Sequence, residues 1–341
     1  MLSEKTLREL PKVELHRHME GSIRPATAWD LAARNGLDWG FATYDEFAEK
    51  ACVKSPMKSL AEVLNSLSLA RRALCSREAV ERVAFENVED AWKDGTKLLE
   101  LRFAPTLIAA SSGLPYEEII EATLDGIVRA MSSYPLEVGL IASLRRKAPP
   151  EENENVVDAL LREIDRHGTD RLVGVDLSDD ERSSDPAIFV PLMDRAKKAG
   201  LGVTVHSGLN TSSEYVRKTL RLLEPERIGH GILILGDDDL LKEIIDKNIL
   251  LEISLTSNWI TASVPSLEEH PFPILAKAGI PVCLNSDDPH SFGIDLVNEY
   301  DIAQGLFGFG EGDFLAMNRT ALAASYLPEH TRESVRKQYF E

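Results

Sequence analysis

Val13-Glu14-Leu15-His16-Arg17-His18 reads as a short strand that ends on two histidines one residue apart. Side chains alternate along a strand, so both imidazoles point to one face and Arg17 to the other. Seven further apolar runs follow, at residues 97–103, 137–144, 172–177, 202–206, 227–230, 249–255 and 281–287, with helical patterns between them. Eight strands alternating with helices predict parallel βαβ units, and eight is the number that closes a (β/α)₈ TIM barrel. An open doubly wound sheet is the competing architecture. No glycine-rich phosphate loop follows the first strand to support it. Nothing in residues 1–341 looks like a linker, so one domain is expected.

The strand ends carry the chemistry. The fifth run ends at His206, the sixth at His230 and the eighth at Asp287-Asp288. His167, His270 and His330 lack such placement and read as ordinary core or surface histidines. Parallel barrel strands all end at one mouth, so the HxH pair, two further histidines and an aspartate converge there. Imidazole with carboxylate suits Zn²⁺ or Fe²⁺, and three or four protein ligands leave a position for water. One such ion per chain is expected.

Between the first two strands lies a long excursion, residues 21–95, with helical periodicity at Leu60, Val63, Leu64 and Leu67. Helices inserted there sit over the C-terminal mouth, either as a lid or as ordinary packing on the barrel.

Composition excludes several classes. With a net charge of −18 the chain lacks the clustered cations that nucleic acid requires. No apolar run approaches membrane-spanning length. Cys52, Cys75 and Cys283 are odd in number and widely spaced, which fits neither a disulfide framework nor a cysteine metal site. A soluble cytoplasmic protein is the expectation.

Pro11-Lys12-Val13-Glu14-Leu15-His16-Arg17-His18-Met19-Glu20-Gly21-Ser22 resembles the opening motif of adenosine deaminases and their bacterial adenine deaminase relatives. Gly174-Val175-Asp176-Leu177, Thr204-Val205-His206-Ser207-Gly208, Arg227-Ile228-Gly229-His230-Gly231, Leu255-Thr256-Ser257-Asn258 and Asn285-Ser286-Asp287-Asp288-Pro289 continue the likeness in order. The resemblance implies a zinc barrel that replaces an aromatic amine by water. It makes His16, His18, His206 and Asp287 the metal ligands. By the same resemblance His230 holds and polarises the attacking water, Asp287 helps take its proton, and Asp288 accepts a hydrogen bond from a purine ring nitrogen.

Three positions depart from the family. Where an HxGE glutamate protonates the ring nitrogen beside the attacked carbon, this chain has Leu209, with Asn210 next to it. Losing a general acid costs ~10² to 10⁴ in rate. Asp179 stands where a glycine N–H reads another ring nitrogen, and Glu20 replaces the aspartate that reaches the ribose, as in adenine deaminases. These changes predict a heterocyclic amine other than ordinary adenosine, richer in donors or positive charge. Hydrolysis of another C–N bond, in an amide or cyclic amidine, and a catalytically impaired metal-binding homologue are the alternatives.

Overall fold

The computed structural model describes residues 1–341 apart from Thr169 and the side chain of His167, so the reading of His167 lies outside the described residues. A short helix α1 (Glu4–Glu9) leads into eight strands: β1 (Lys12–His18), β2 (Thr96–Phe103), β3 (Glu137–Arg145), β4 (Leu172–Ser178), β5 (Gly202–Ser207), β6 (Arg227–His230), β7 (Leu250–Ile253) and β8 (Val282–Leu284). They pair in parallel in sequence order, as expected for the barrel. The seam between first and last strands is joined past the end of β8. Arg17 and Asp287 form a parallel bridge there, with His18 N–H donating to the Asp287 carbonyl at 2.8 Å and Asp287 N–H to that of His16 at 3.1 Å.

Alternation along β2 shows how the sequence sorts its faces. Leu99, Leu101 and Phe103 join the buried cluster under the outer helices, while Glu100 and Arg102, both 0% exposed, alternate with them. Charges of this kind continue round the barrel interior: Arg102 pairs with Glu252 and, at 3.5 Å, with Asp176, and Arg227 joins Glu252 at 2.8 Å to Glu100 at 2.6 Å. Buried charges of this kind are tolerated because each faces an opposite charge.

Strands seven and eight are shorter than their apolar runs. Ser254 leaves β7 as the N-cap residue of a helix, Leu255–Ile260, and the Glu299 carboxylate binds the freed N–H groups of Leu255 and Thr256. After β8, the Asn285 side-chain oxygen takes the N–H groups of Leu15 and His16, and Asp287 adopts a left-handed φ of 61°. The chain there follows side chains rather than a ladder.

The excursion after β1 folds as helices α2 (Pro25–Asn35), α3 (Tyr44–Ala51) and α4 (Leu60–Arg71). The following helix, α5 (Arg77–Lys93), packs on β2 as a barrel helix. Leu60, Val63, Leu64 and Leu67 of α4 all face the cavity at the mouth. Val63 is also buried among Val53, Ile260 and Phe292, so that residue is both packing and wall. No helix among the described residues is long and apolar enough to cross a membrane.

Candidate metal centre and its cavity

His16 and His18 leave β1 on one face, as strand alternation requires, and meet His206 from β5, His230 from β6 and Asp287 from beyond β8. The His16 Nε2 lies 3.2 Å and the His18 Nε2 3.5 Å from Asp287 Oδ1, and the Nε2 atoms of His18 and His206 are 3.2 Å apart. His16, His206, His230 and Asp287 can bring one ligand atom each to a common point, and His18 joins His206 with Asp176 in a second such group. His16 Nε2 is buried and, although 3.2 Å from Asp287 Oδ1, makes no well-aligned hydrogen bond. Imidazole nitrogens crowded round a carboxylate in this way fit a divalent metal better than an empty core.

Behind the cluster stand residues that sequence reasoning missed. Glu252 holds His16 Nδ1 at 2.9 Å, and Asp176 holds His206 Nδ1 at 3.0 Å. A carboxylate on the far nitrogen fixes the ring and leaves Nε2 as the free donor. Arg102 ties these two carboxylates to each other. The signal was present as charged residues at alternate positions of apolar strands, Glu100 with Arg102 above all.

His270, read from sequence as ordinary, is buried and satisfied but does more. The Phe272 N–H can only donate, so His270 Nδ1, 3.0 Å away, is the acceptor and Nε2 carries the proton. Burial pushes the His270 pKa down to about 4, which keeps the ring neutral. Its Nε2–H therefore donates to Asn258 Oδ1 at 3.0 Å, which orients the amide. The Asn258 NH₂ then donates to His230 Nδ1, also at 3.0 Å. His230 consequently presents an Nε2–H towards Asp287 Oδ2, 3.8 Å away. Both His230 (φ 65°) and Asp287 (φ 61°) adopt left-handed backbone that non-glycine residues rarely take, a strain typical of sites that hold side chains to a purpose.

Electrostatics follow from burial and neighbours. Burial pushes His230 far down and His18 to about 3. Burial also opposes charge on His16, yet Asp287 and Glu252 raise its pKa above the ordinary value. Asp287 is held well below the carboxylate range by His16, His230 and His18 despite its burial. Asp288 goes the other way: burial, then the charges of Asp287 and Glu20, push it well above that range. Burial raises Glu20 too, although its carboxylate accepts from Ala104 N–H at 2.6 Å. Gly21 is obligatory beside them, because a Cβ there would fall 1.6 Å from an Asp288 oxygen.

A cavity of about 250 Å³ opens above the cluster, lined among others by His18, Glu20, Asp179, Leu209 and Asp288. Its size suits a small molecule rather than a polymer. Leu209 is nearly buried and belongs to the apolar cluster of that side. Next to it, Glu181 accepts from the N–H groups of Gly208, Leu209 and Asn210 and from the Thr211 hydroxyl, at 2.6–3.2 Å. With four donors on its two oxygens it is spent as an acceptor. Asp179 lies at φ 74°, a conformation suited to glycine, and its carboxylate is turned onto Arg145 at 3.1 Å. It is not the free acid that the sequence suggested, because Arg145 neutralises it.

Comparison with known proteins agrees with this geometry along the whole chain. The sequence profile described as "Adenosine deaminase" matches residues 11–340. The adenosine deaminase of Shewanella denitrificans is 30% identical over 328 residues, covering 96% of this chain and 98% of its own. Among solved structures, the N6-methyl-AMP deaminase of Arabidopsis thaliana superposes with a TM-score of 0.85 at 28% identity, covering 99% of this chain and 98% of that one. The adenine deaminase of Arthrobacter aurescens, at 23% identity and TM-score 0.87, covers 97% of this chain and 98% of its own and shares the fold. Fold, cluster and sequence likeness together place the chain in the adenosine deaminase family, among metal-dependent hydrolases that act on C–N bonds.

Proposed function

We propose that residues 1–341 form one cytoplasmic zinc aminohydrolase domain acting on a purine-like heterocyclic amine that is not ordinary adenosine. The observation that carries this reading is the meeting of His16, His206, His230 and Asp287 at one point, with His18 3.5 Å from Asp287 and 3.2 Å from His206. His16, His18, His206 and Asp287 would hold one Zn²⁺ or Fe²⁺, which as a Lewis acid makes water a nucleophile near neutral pH. The relatives named adenosine, adenine and N6-methyl-AMP deaminases all act, by those names, on adenine-type amines, which supports the substrate class.

The roles of this chain's residues follow from their hydrogen bonds. His230 donates from Nε2, so it holds the attacking oxygen in place rather than taking its proton. Asp287, kept anionic, receives that proton. Asp288 keeps its own proton and so donates to an acceptor nitrogen of the ring, the reverse of the accepting role that the family resemblance suggested. Glu20, close to Asp288 on the same side of the cavity, binds a donor of the substrate. The ring nitrogen beside the attacked carbon meets Leu209 and receives no proton from it.

That last point also favours a second reading, hydrolysis of an amide or cyclic amidine C–N bond, which needs no ring-nitrogen acid. Three free cysteines suit a reducing compartment for either. The experiment that tests the proposal is metal analysis of zinc-reconstituted protein together with ammonia release from a panel of heterocyclic amines. We expect one equivalent of metal, ammonia from a non-adenosine member, and loss of both metal and turnover in His16→Ala. Substoichiometric metal would remove the site, and efficient turnover of adenosine would remove the proposed specificity.

A further inference from the structure

The cavity wall carries three cations that the reaction above does not use. Arg71 is the last residue of α4, Arg145 the last of β3, and Lys147 follows two positions on; all three line the cavity. They occupy the part of the rim formed by the ends of β3 and β4 and by the covering helix. The metal cluster is built instead from β1, β5, β6 and the turn after β8. Arg145 is aligned by Asp179, which contacts its Nε at 3.1 Å and its Nη2 at 3.4 Å and also accepts the Lys147 N–H at 3.2 Å. The Arg71 and Lys147 side chains make no hydrogen bond or ion pair among the described residues. Arg71 is partly buried and feels Glu20 and Asp179 only at a distance.

A guanidinium offers five donors in a planar fork, and leaving all of them unspent in a partly dry cavity is costly unless a ligand takes them up. The surrounding charge sharpens the point. A chain of net charge −18 repels anions, so a small anionic molecule reaches this site only if the cavity is locally positive. We propose that Arg71, Arg145 and Lys147 form a subsite for an anionic group, a carboxylate or a phosphate, carried by the heterocyclic substrate on the side away from the metal cluster. The inference rests on the aminohydrolase reading for the heterocycle, but not for the anion. It also reverses the expectation of a positively charged substrate, because the acid that suggested one is already paired.

Arg71 has a competing role as a cation at a helix C-terminus, which would stabilise α4 without touching any ligand. The test therefore separates binding from stability. Zinc-loaded protein is titrated with inosine, inosine 5′-monophosphate and inosine 5′-carboxylate, none of which can be deaminated. Charge-assisted hydrogen bonds at one site support a preference of about 10-fold or more for an anionic form over inosine. In Arg71→Gln that preference should fall below about 3-fold, with Arg71→Lys intermediate because charge stays and the fork is lost. Lys147→Gln, at an exposed position, should reduce it in part and flatten its dependence on salt. Which anion binds tighter distinguishes phosphate from carboxylate. Equal affinities, binding by none of the three, or a lowered Tm in Arg71→Gln with the preference intact would overturn the proposal. Anion preference without ammonia release from the corresponding amines would leave the subsite standing and remove the deaminase reading.

Discussion

On the proposed reading, Leu209 stands where the family resemblance puts a carboxyl that protonates a purine ring nitrogen. Hydroxide attack pushes negative charge onto the nitrogen beside the reacting carbon, and leucine offers that charge nothing. A carboxyl in the same apolar surroundings would keep its proton towards neutral pH and could donate it. Leu209→Glu should therefore raise adenosine deamination by ~10² or more from its trace level, measured as inosine formed. Adding Asp179→Gly frees a backbone N–H position and relieves the left-handed aspartate, so the pair should exceed either change alone. His270 gives a second residue-scale prediction. Its pKa falls from 6.5 unfolded to about 4 folded, so between those pH values the unfolded chain binds the extra proton. Stability must then fall as pH is lowered from 6.5 to 4, at about 1.4 kcal/mol per pH unit. Chemical denaturation should show wild type losing about 3 kcal/mol more across that window than His270→Gln. Asp94 and Glu299, with pKa values raised to about 7, act in the opposite sense but equally in both proteins. That His16, His18, His206, His230 and Asp287 meet at the mouth was legible in the sequence, because alternation puts both β1 histidines on one face and the other three stand at strand ends. The relay through Asn258 and His270 was not, since three elements distant in the chain must meet before those contacts exist.

Among the elements, α4 lines the cavity mouth with Leu60, Val63, Leu64 and Leu67. Its apolar face touches the inserted helices and the turn after β1, and it covers the mouth without joining the barrel wall. Leu67 is partly buried at the margin of the small cluster around Val63, where a larger ring can project into the cavity. Leu67→Trp should raise KM by about 10-fold or more while Tm changes by only a few degrees. A large drop in Tm with unchanged KM would assign Leu67 to packing instead. Strands one to six were readable to within a residue or two, because their apolar runs stop where the ladder stops. The run at 249–255 overshot because Leu255 already belongs to a helix capped by Glu299, and the run at 281–287 because Asn285, Ser286 and Asp287 stay buried in a turn held by Asn285. Burial outlasts the strand at both places.

Across the whole molecule, the sheet is parallel and sequential, so its closure depends on the last strand finding the first. That seam runs through the site: Asp287 is bridged to Arg17, between the two histidines of β1. A ligand that binds both sides of the seam binds only the closed barrel and stabilises it by mass action, roughly 3 to 4 kcal/mol when in 100- to 1,000-fold excess over its Kd. Chelation of the zinc-loaded protein should accordingly lower Tm by several degrees, and zinc should restore it. Leu209→Glu, which leaves the seam alone, should show the same metal-dependent shift. The seam also has a bearing on how the chain is made. A ribosome releases His16 and His18 long before Asp287, so during most of synthesis the two histidines wait beside an open edge. On the proposed reading of these residues as metal ligands, capture of the ion is postponed to the moment the barrel shuts, and a nascent chain stalled before residue 287 would be a poor competitor for it.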